Sequence, residues 1–116
     1  MSHPLVTDEL RAELLANGAR TAAGDTIDPY PVVELFTPDA GTNWLLTELD
    51  PADPGLFFGL CDLGPGFPEL GSVRLSRSPR RRGRLGLPVD RDLFFRANRP
   101  LSRYTEEAQR LGVIRA

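Results

Sequence analysis

The sequence has no lysine, one cysteine, one histidine and no long apolar run. The absence of lysine removes lysine-based catalysis, and a single cysteine forms neither an internal disulfide nor a two-cysteine zinc motif. No window approaches the roughly 18 apolar residues of a membrane-spanning helix, and the first residues lack the basic start and apolar stretch of a signal peptide. We therefore expect a protein of a reducing compartment, the cytoplasm, that does not enter a membrane.

The length and composition are those of one ordinary globular domain. The chain has 116 residues, of which 41% are apolar and 26% are charged. A chain of this size buries about two-thirds of its unfolded surface, which is enough for a core without disulfides or a structural metal. We expect a single domain over residues 1–116 and assign no cofactor.

The charged residues are divided unevenly along the chain. The formal net charge is −2, but residues 1–71 hold two arginines against twelve carboxylates, a net of −10. Residues 72–116 hold twelve arginines against four carboxylates, a net of +8. In one domain these acidic and basic blocks either pair internally or form two opposed surfaces that suit binding to another macromolecule.

Helix signals stand at the two ends of the chain, with strand signals between them. Thr7 is a good N-cap, and Asn17 with Gly18 predicts the end of the first helix. A second helix is predicted from a Ser102 cap through Leu111, with Gly112 ending it. Turns rich in proline and glycine separate β-rich segments at residues 32–37, 43–50, 56–63 and 69–76, and residues 93–95 are a candidate fifth strand. This pattern predicts an α+β fold, in which a four- or five-stranded antiparallel meander packs with an N-terminal and a C-terminal helix.

Four carboxylates stand within or beside the apolar strand segments: Glu34, Glu48, Asp50 and Asp62. On one face of neighbouring strands they would lie within reach of Mg²⁺, which prefers hard oxygen ligands, as in a nuclease. The same alternation places apolar residues on that face, which is typical of a solvated sheet rim. We favour solvated or arginine-paired carboxylates and assign no metal site.

An arginine-rich segment follows the fourth predicted strand and comprises Arg74, Arg77, Arg80, Arg81, Arg82 and Arg84. Guanidinium groups bind phosphates and fork onto guanine, so this segment is a candidate nucleic-acid surface. The aromatic residues nearest to positions 80–84 are ten or more positions away, so the interleaving typical of single-strand binding is missing. Contact with an acidic protein surface is an equal alternative.

A second polar group is interpreted as a structural clamp and comprises Glu69, Asp90, Arg91 and Asp92. Alternate residues of an extended segment share a face, so Asp90 and Asp92 can converge on one arginine or cation. Cys61 lies in an apolar run far from the only histidine, so we interpret it as a buried apolar residue rather than a nucleophile. Trp44 is interpreted as a core residue.

Ordered blocks of sequence resemble one bacterial protein family. They lie at residues 14–18, 31–38, 44–51, 58–64, 68–71 and 86–92. The series is similar to the family catalogued as domain of unknown function 2958, whose members are often carried on plasmids and other mobile elements. The resemblance implies a small stand-alone protein without an agreed activity. It also implies an acidic residue after the fourth strand, where this chain has arginines at 77 and 80–82.

These observations favour a non-enzymatic binding or accessory protein of a mobile genetic element. We expect it to act through charged surfaces on another macromolecule, most simply a protein. The most specific version of this hypothesis is that it inhibits a host defence or restriction protein. The alternatives are a nucleic-acid-binding protein that uses residues 74–84 and a small Mg-dependent nuclease that uses the strand carboxylates. No catalytic residue is assigned.

Overall fold

The chain folds into one antiparallel sheet with a helix at each end of the sequence. A computed structural model describes residues 6–37, 42–62, 66–74 and 90–116. The described elements are α1 (Asp8–Ala22), β1 (Val33–Phe36), β2 (Asn43–Asp50), β3 (Asp53–Asp62), β4 (Glu69–Arg74), β5 (Asp90–Arg91) and α2 (Leu101–Leu111). The sheet order is β4-β3-β2-β1-β5, and every pairing is antiparallel. This confirms the predicted α+β fold.

The strands depart from a simple meander at β5. β1 to β4 follow one another across the sheet, but the chain then crosses to the opposite edge and pairs β5 with β1. The fifth strand was predicted at residues 93–95, and that position is wrong, because the chain turns there. The side chain of Asp92 holds this turn, since its Oδ1 accepts a hydrogen bond from the Phe94 backbone N–H at 2.9 Å.

The sheet separates two apolar cores, one on each face. Side chains alternate along a strand, so the neighbours Leu45 and Leu46 are fully buried in opposite cores. The core that includes α1 contains Leu14, Val33, Leu35, Trp44, Leu46, Leu49 and Phe57. The core that includes α2 contains Leu45, Leu60, Leu101, Tyr104, Ala108 and Ile114. Trp44 is 4% exposed, which agrees with its interpretation as a core residue.

Helix α1 begins where the sequence predicts and ends later. The Thr7 hydroxyl accepts a hydrogen bond from the Leu10 N–H at 3.2 Å, as an N-cap does. The predicted stop at Asn17 and Gly18 is wrong, because the helix continues to Ala22.

Packing against β2 explains why the two predicted stop residues are helical. Gly18 is buried, and a Cβ at this position would lie 1.8 Å from the carbonyl oxygen of Leu49. The Asn17 side chain donates to the carbonyl oxygen of Thr47 at 2.9 Å. Both residues therefore dock α1 on the sheet instead of ending it.

Helix α2 is held at its start by a residue from the connection between α1 and β1. The predicted cap at Ser102 is wrong, because Pro100 occupies the N-cap position and Ser102 is already helical. Pro100 makes no side-chain cap, but Asp28 Oδ1 accepts from the Ser102 N–H at 3.0 Å. The Leu101 N–H also donates a hydrogen bond to the carbonyl oxygen of Pro29, at 2.9 Å. Gly112, with a φ of 80°, ends the helix as predicted.

Candidate functional site

Strand pairing gathers carboxylates at one end of the sheet face that packs on α2. Pairing of β1 with β5 brings Asp90 and Asp92 onto the face of Glu34, and the Asp92 N–H donates to the Glu34 carbonyl oxygen at 3.0 Å. Pairing of β2 with β3 aligns Asn43 with Asp62 on the same face. Asp62 shares this face but lies on β3, with β2 between it and Glu34, so the name carboxylate cluster is given to Glu34, Asp90 and Asp92 alone. The cluster joins residues that the sequence had assigned to two separate groups.

Glu34 is a buried member of the carboxylate cluster, with 9% of its surface exposed. Burial removes water from its carboxyl group and raises the pKa of Glu34 to about 7. The Asn43 side chain donates to Glu34 Oε2 at 3.4 Å and opposes this rise, whereas a hydrogen bond and charge repulsion from Asp92 add to it. Glu34 therefore binds and releases a proton near neutral pH.

Asp62 ties the end of the chain to β3. It is 4% exposed, and its Oδ2 accepts a hydrogen bond from the backbone N–H of Ile114 at 3.4 Å. Ile114 packs in the core beside α2. Asp62 therefore has a structural role in holding the segment after α2 against β3.

Glu48 and Asp50 lie away from the carboxylate cluster. Glu48 shares the face of Asp62 but stands opposite Phe58, beyond the row of Leu45 and Leu60. Asp50 is exposed, and its Oδ1 accepts from the backbone N–H two residues on, at 2.8 Å. Within residues 6–37, 42–62, 66–74 and 90–116, no three His, Cys, Asp or Glu side chains lie close enough to hold a metal ion. The register thus separates the four carboxylates that the sequence suggested as one group.

Arg74 is the one member of the arginine-rich segment that lies within the described residues. Its guanidinium forms a two-pronged hydrogen bond with Asp53, at 3.1 Å from Nη1 to Oδ1 and 2.5 Å from Nη2 to Oδ2. This hydrogen bond lowers the pKa of the Asp53 carboxyl. Arg77, Arg80, Arg81, Arg82 and Arg84 lie outside the described residues. Arg74 thus joins the basic block of the sequence to the acidic block.

The residues interpreted as a clamp do not form one group. Glu69 belongs to β4 at one edge of the sheet, whereas Asp90 and Arg91 belong to β5 at the other, with three strands between them. Asp90 and Asp92 share the face of Glu34, but Arg91 alternates onto the opposite face. Sequence spacing could not show this separation, because it follows from the crossing of the chain between β4 and β5.

Most described carboxylates have no arginine partner among the described residues. That part of the chain holds fifteen aspartates and glutamates and nine arginines, and they form three salt bridges: Arg20 with Asp25, Arg74 with Asp53, and Arg99 with Glu107. Six exposed carboxylates of the described residues carry no salt bridge, lie outside α2 and, unlike Asp28, hold no helix end: Asp8, Glu9, Glu13, Asp50, Glu69 and Asp90. These six are named the free carboxylates.

A groove beside β4 was not anticipated from the sequence. Its volume is about 360 Å³, and its lining includes Trp44, Cys61, Phe67, Glu69 and Gly71. Phe67 is 76% exposed, and burial raises the pKa of the Cys61 thiol to about 11, so this thiol stays protonated at neutral pH. The lining comes from three strands and the turn before β4, so no single stretch of sequence carries the signal.

The fold and these sites define a small α+β protein with a carboxylate-rich sheet end and no assigned chemistry. The chain matches the family model described as a protein of unknown function, DUF2958, over residues 5–115, and it belongs to that family. This confirms the resemblance found in the sequence. No curated protein and no solved structure matches the chain. None of the described helices is long and apolar enough to cross a membrane.

Proposed function

We propose that this protein is a small non-enzymatic binding protein of a mobile genetic element, and that its exposed carboxylates contact the basic, nucleic-acid-binding surface of another protein. A host restriction or defence protein is the class of partner that fits this role. The observation that supports the proposal is the set of free carboxylates. Because they are exposed and pair with none of the described arginines, these carboxylates are available to attract a basic surface.

Helix α1 supplies the most concentrated part of this charge. Asp8, Glu9 and Glu13 are exposed within its first two turns, and Glu9 and Glu13 are one turn apart on the same side of the helix. The helix N-terminus stabilises negative charge, so these positions favour carboxylates. The exposed side of α2 differs, because Arg103 and Arg110 stand beside its carboxylates. The exposed carboxylates are therefore most concentrated at the start of α1, with Arg11 as the arginine nearest to them in this helix.

The alternatives have weaker support from the described residues. Arg74 already pairs with Asp53, so a phosphate would have to compete with this carboxylate for the guanidinium. The strand carboxylates expected of a nuclease lie at separate positions on β1, β2 and β3. Binding to a protein that has a basic surface is therefore the function that the geometry supports best.

Plating efficiency of unmodified phage on restricting hosts tests the proposal. Expression of the wild-type chain should raise plating efficiency on a restricting host and leave it unchanged on a host without restriction. The Glu13→Arg variant should lose much of the effect, since it reverses charge within the acidic surface. Glu106→Arg is the matched control, because it reverses an exposed helix carboxylate that stands among arginines on α2.

Two outcomes would overturn the proposal. One is unchanged plating on type I, II and III restricting hosts that contain folded wild-type protein. The other is an equal loss of effect in the two charge-reversal variants, which would exclude the α1 side as the surface responsible. A shift of DNA by the wild-type chain at low salt, abolished by substitution of Arg80, Arg81 and Arg82, would favour the nucleic-acid alternative instead.

A further inference from the structure

A second groove lies between the first turns of α1 and the edge of the sheet that β5 forms, and it is named the β5 groove. Its volume is about 440 Å³. One wall belongs to α1 and includes Leu10 and Glu13, and the other belongs to the segment 91–97 and includes Arg96. Residues 30–33, which lead into β1, complete the lining. The β5 groove therefore joins apolar and charged side chains from three parts of the chain.

A tight turn beside the β5 groove presents two large apolar side chains. Leu93 is 64% exposed and Phe94 is 90% exposed. Asp92 fixes this turn, because its side chain accepts from the Phe94 N–H at 2.9 Å and its carbonyl oxygen accepts from the Phe95 N–H at 3.4 Å. Turns mostly carry glycine, proline, asparagine, aspartate or serine, so a leucine and a phenylalanine at this turn are unusual. Phe94 is therefore an apolar projection on a turn that needs little further ordering to bind.

Exposed apolar surface continues from this turn into the β5 groove. Leu93 lines the groove, and so does Tyr30, which is 53% exposed. Single exposed apolar residues are ordinary, but neighbouring ones that are rimmed by charges mark interaction sites. Because Phe94 projects beside a groove lined by its own neighbours in the turn, the same surface offers both an apolar side chain and a place to receive one.

The charges of the β5 groove indicate which partner fits it. Glu13 is exposed on the α1 wall, and Arg96 is exposed on the other wall, where Arg91 adds a second positive charge. Neither Glu13 nor Arg96 forms a salt bridge within the described part of the chain, although Arg96 Nη1 donates to the carbonyl oxygen of Phe95 at 2.9 Å. A partner of one charge sign would be repelled by one of the two walls.

A second copy of the chain carries the complementary arrangement. A two-fold axis that runs along the groove places the α1 wall of each copy against the 91–97 wall of the other. Glu13 then faces Arg96 of the partner subunit, and symmetry repeats this pair. The apolar turn of each copy meets the groove of the other in the same arrangement.

We propose that the β5 groove is the interface of a symmetric dimer, in which Phe94 of each copy packs in the groove of the other. Glu13 of each copy pairs with Arg96 of the partner subunit. Asp8 and Glu9 lie outside the groove lining, so the dimer leaves these carboxylates exposed. The inference does not rest on the proposed function.

Sedimentation equilibrium of the full chain, at about 1 to about 300 µM, covers the micromolar dissociation constants of the weaker interfaces and tests the dimer. We expect the wild type to form a species of twice the chain mass of 12.8 kDa as the concentration rises. Phe94→Ser should weaken the dimer by about tenfold or more, because it removes the central apolar contact from both halves. Phe67→Ser is the matched control, since it removes a phenylalanine that is 76% exposed outside the β5 groove.

A charge exchange tests the orientation of the two copies. Glu13→Arg and Arg96→Glu should each weaken the dimer by about tenfold, because each places like charges opposite each other twice. The double variant restores opposite charges across the interface and should recover most of the wild-type affinity. Because Phe94→Ser alters no carboxylate, its plating efficiency also distinguishes failure of the dimer from failure of the proposed function.

Four outcomes would overturn the proposal. They are a wild type that stays monomeric at every concentration, a folded Phe94→Ser protein that dimerises as tightly as the wild type, an equal loss of dimer in Phe67→Ser, and a double charge variant that dimerises no better than the single variants. Circular dichroism of each variant should match the wild type, since the substituted side chains are exposed.

Discussion

The closest approach between helix and sheet occurs at Gly18, and the Gly18→Ala variant tests how tightly α1 is seated. A Cβ at this position would lie 1.8 Å from the carbonyl oxygen of Leu49, 2.9 Å from its carbonyl carbon and 3.3 Å from Cδ of Pro51. Real Cβ contacts are essentially never below 3.0 Å. The nearest atoms belong to the backbone of a central strand, so no side-chain rotation relieves the overlap. The helix must move by on the order of 1 Å.

Two effects of opposite sign decide the change in the free energy of unfolding. Alanine has the better helix propensity, which favours the variant by about 1 kcal/mol. Overpacking costs about 1–3 kcal/mol and more where backbone must move. Moving α1 also disturbs the fully buried Leu14 and the hydrogen bond from Asn17 to Thr47, which is worth about 1 kcal/mol. We expect a net loss of about 2–3 kcal/mol, which is large against a typical total of about 5–15 kcal/mol.

Urea unfolding followed by the fluorescence of Trp44 and by circular dichroism measures this loss. Ala19→Gly is the matched control, since Ala19 is the next residue of the helix and is exposed. The lower helix propensity of glycine alone should reduce the free energy of unfolding of Ala19→Gly by about 1 kcal/mol. A Gly18→Ala protein as stable as the wild type, or more stable, would refute the reasoning, because propensity would then outweigh the contact with Leu49.

Two further predictions concern ionisable side chains. Glu34 has a pKa of about 7 in the folded protein, against an ordinary value of 4.5, so the folded state binds the proton of this carboxyl more tightly than the unfolded state does. The free energy of unfolding should therefore fall by about 3 kcal/mol as the pH rises from the lower value to the higher. Glu34→Gln should remove this part of the pH dependence in urea unfolding at about pH 5 and about pH 8, and an unchanged slope would contradict the burial argument. Asp28→Ala removes the cap of α2 and should cost about 1 kcal/mol in thermal unfolding, whereas Asp28→Asn keeps an acceptor and should recover part of it; equal losses would exclude capping.

The parts of the fold that could be predicted depend on local sequence. Residues 43–50 are a β-rich segment bounded by turn residues, and β2 has those bounds in the structure. Gly112 ends α2 because a left-handed residue follows the last turn, a requirement confined to a few positions. A β-rich segment or a helix cap depends on residues that are neighbours in the chain, so the sequence alone carries enough information to predict it.

The parts that could not be predicted depend on contacts between distant residues. Gly18 resembles a helix stop until Leu49 is known to lie against it. Glu34 and Asp92 are 58 positions apart, and only the crossing of the chain to the outer edge of β1 makes them neighbours. The same crossing removes Glu69 from the residues with which it was grouped. The spacing of residues along the chain does not determine the order of the strands in a sheet, so these neighbours could not be predicted.

The division of charge along the chain shows why position matters more than total charge. The salt bridge between Arg74 and Asp53 links the basic and acidic blocks. Asp28, a residue of the acidic block, accepts a hydrogen bond at the start of α2, a helix of the basic block. Burial makes Glu34 a titrating group instead of a fixed charge. These internal uses account for only part of the acidic block, and none of them involves the carboxylates at the start of α1. The helix N-terminus accounts for Asp8 and Glu9 in the first turn of α1, but not for Glu13 in the second turn. Glu13 is therefore the exposed carboxylate of α1 for which the fold has least need, which is the expectation for a residue retained for binding.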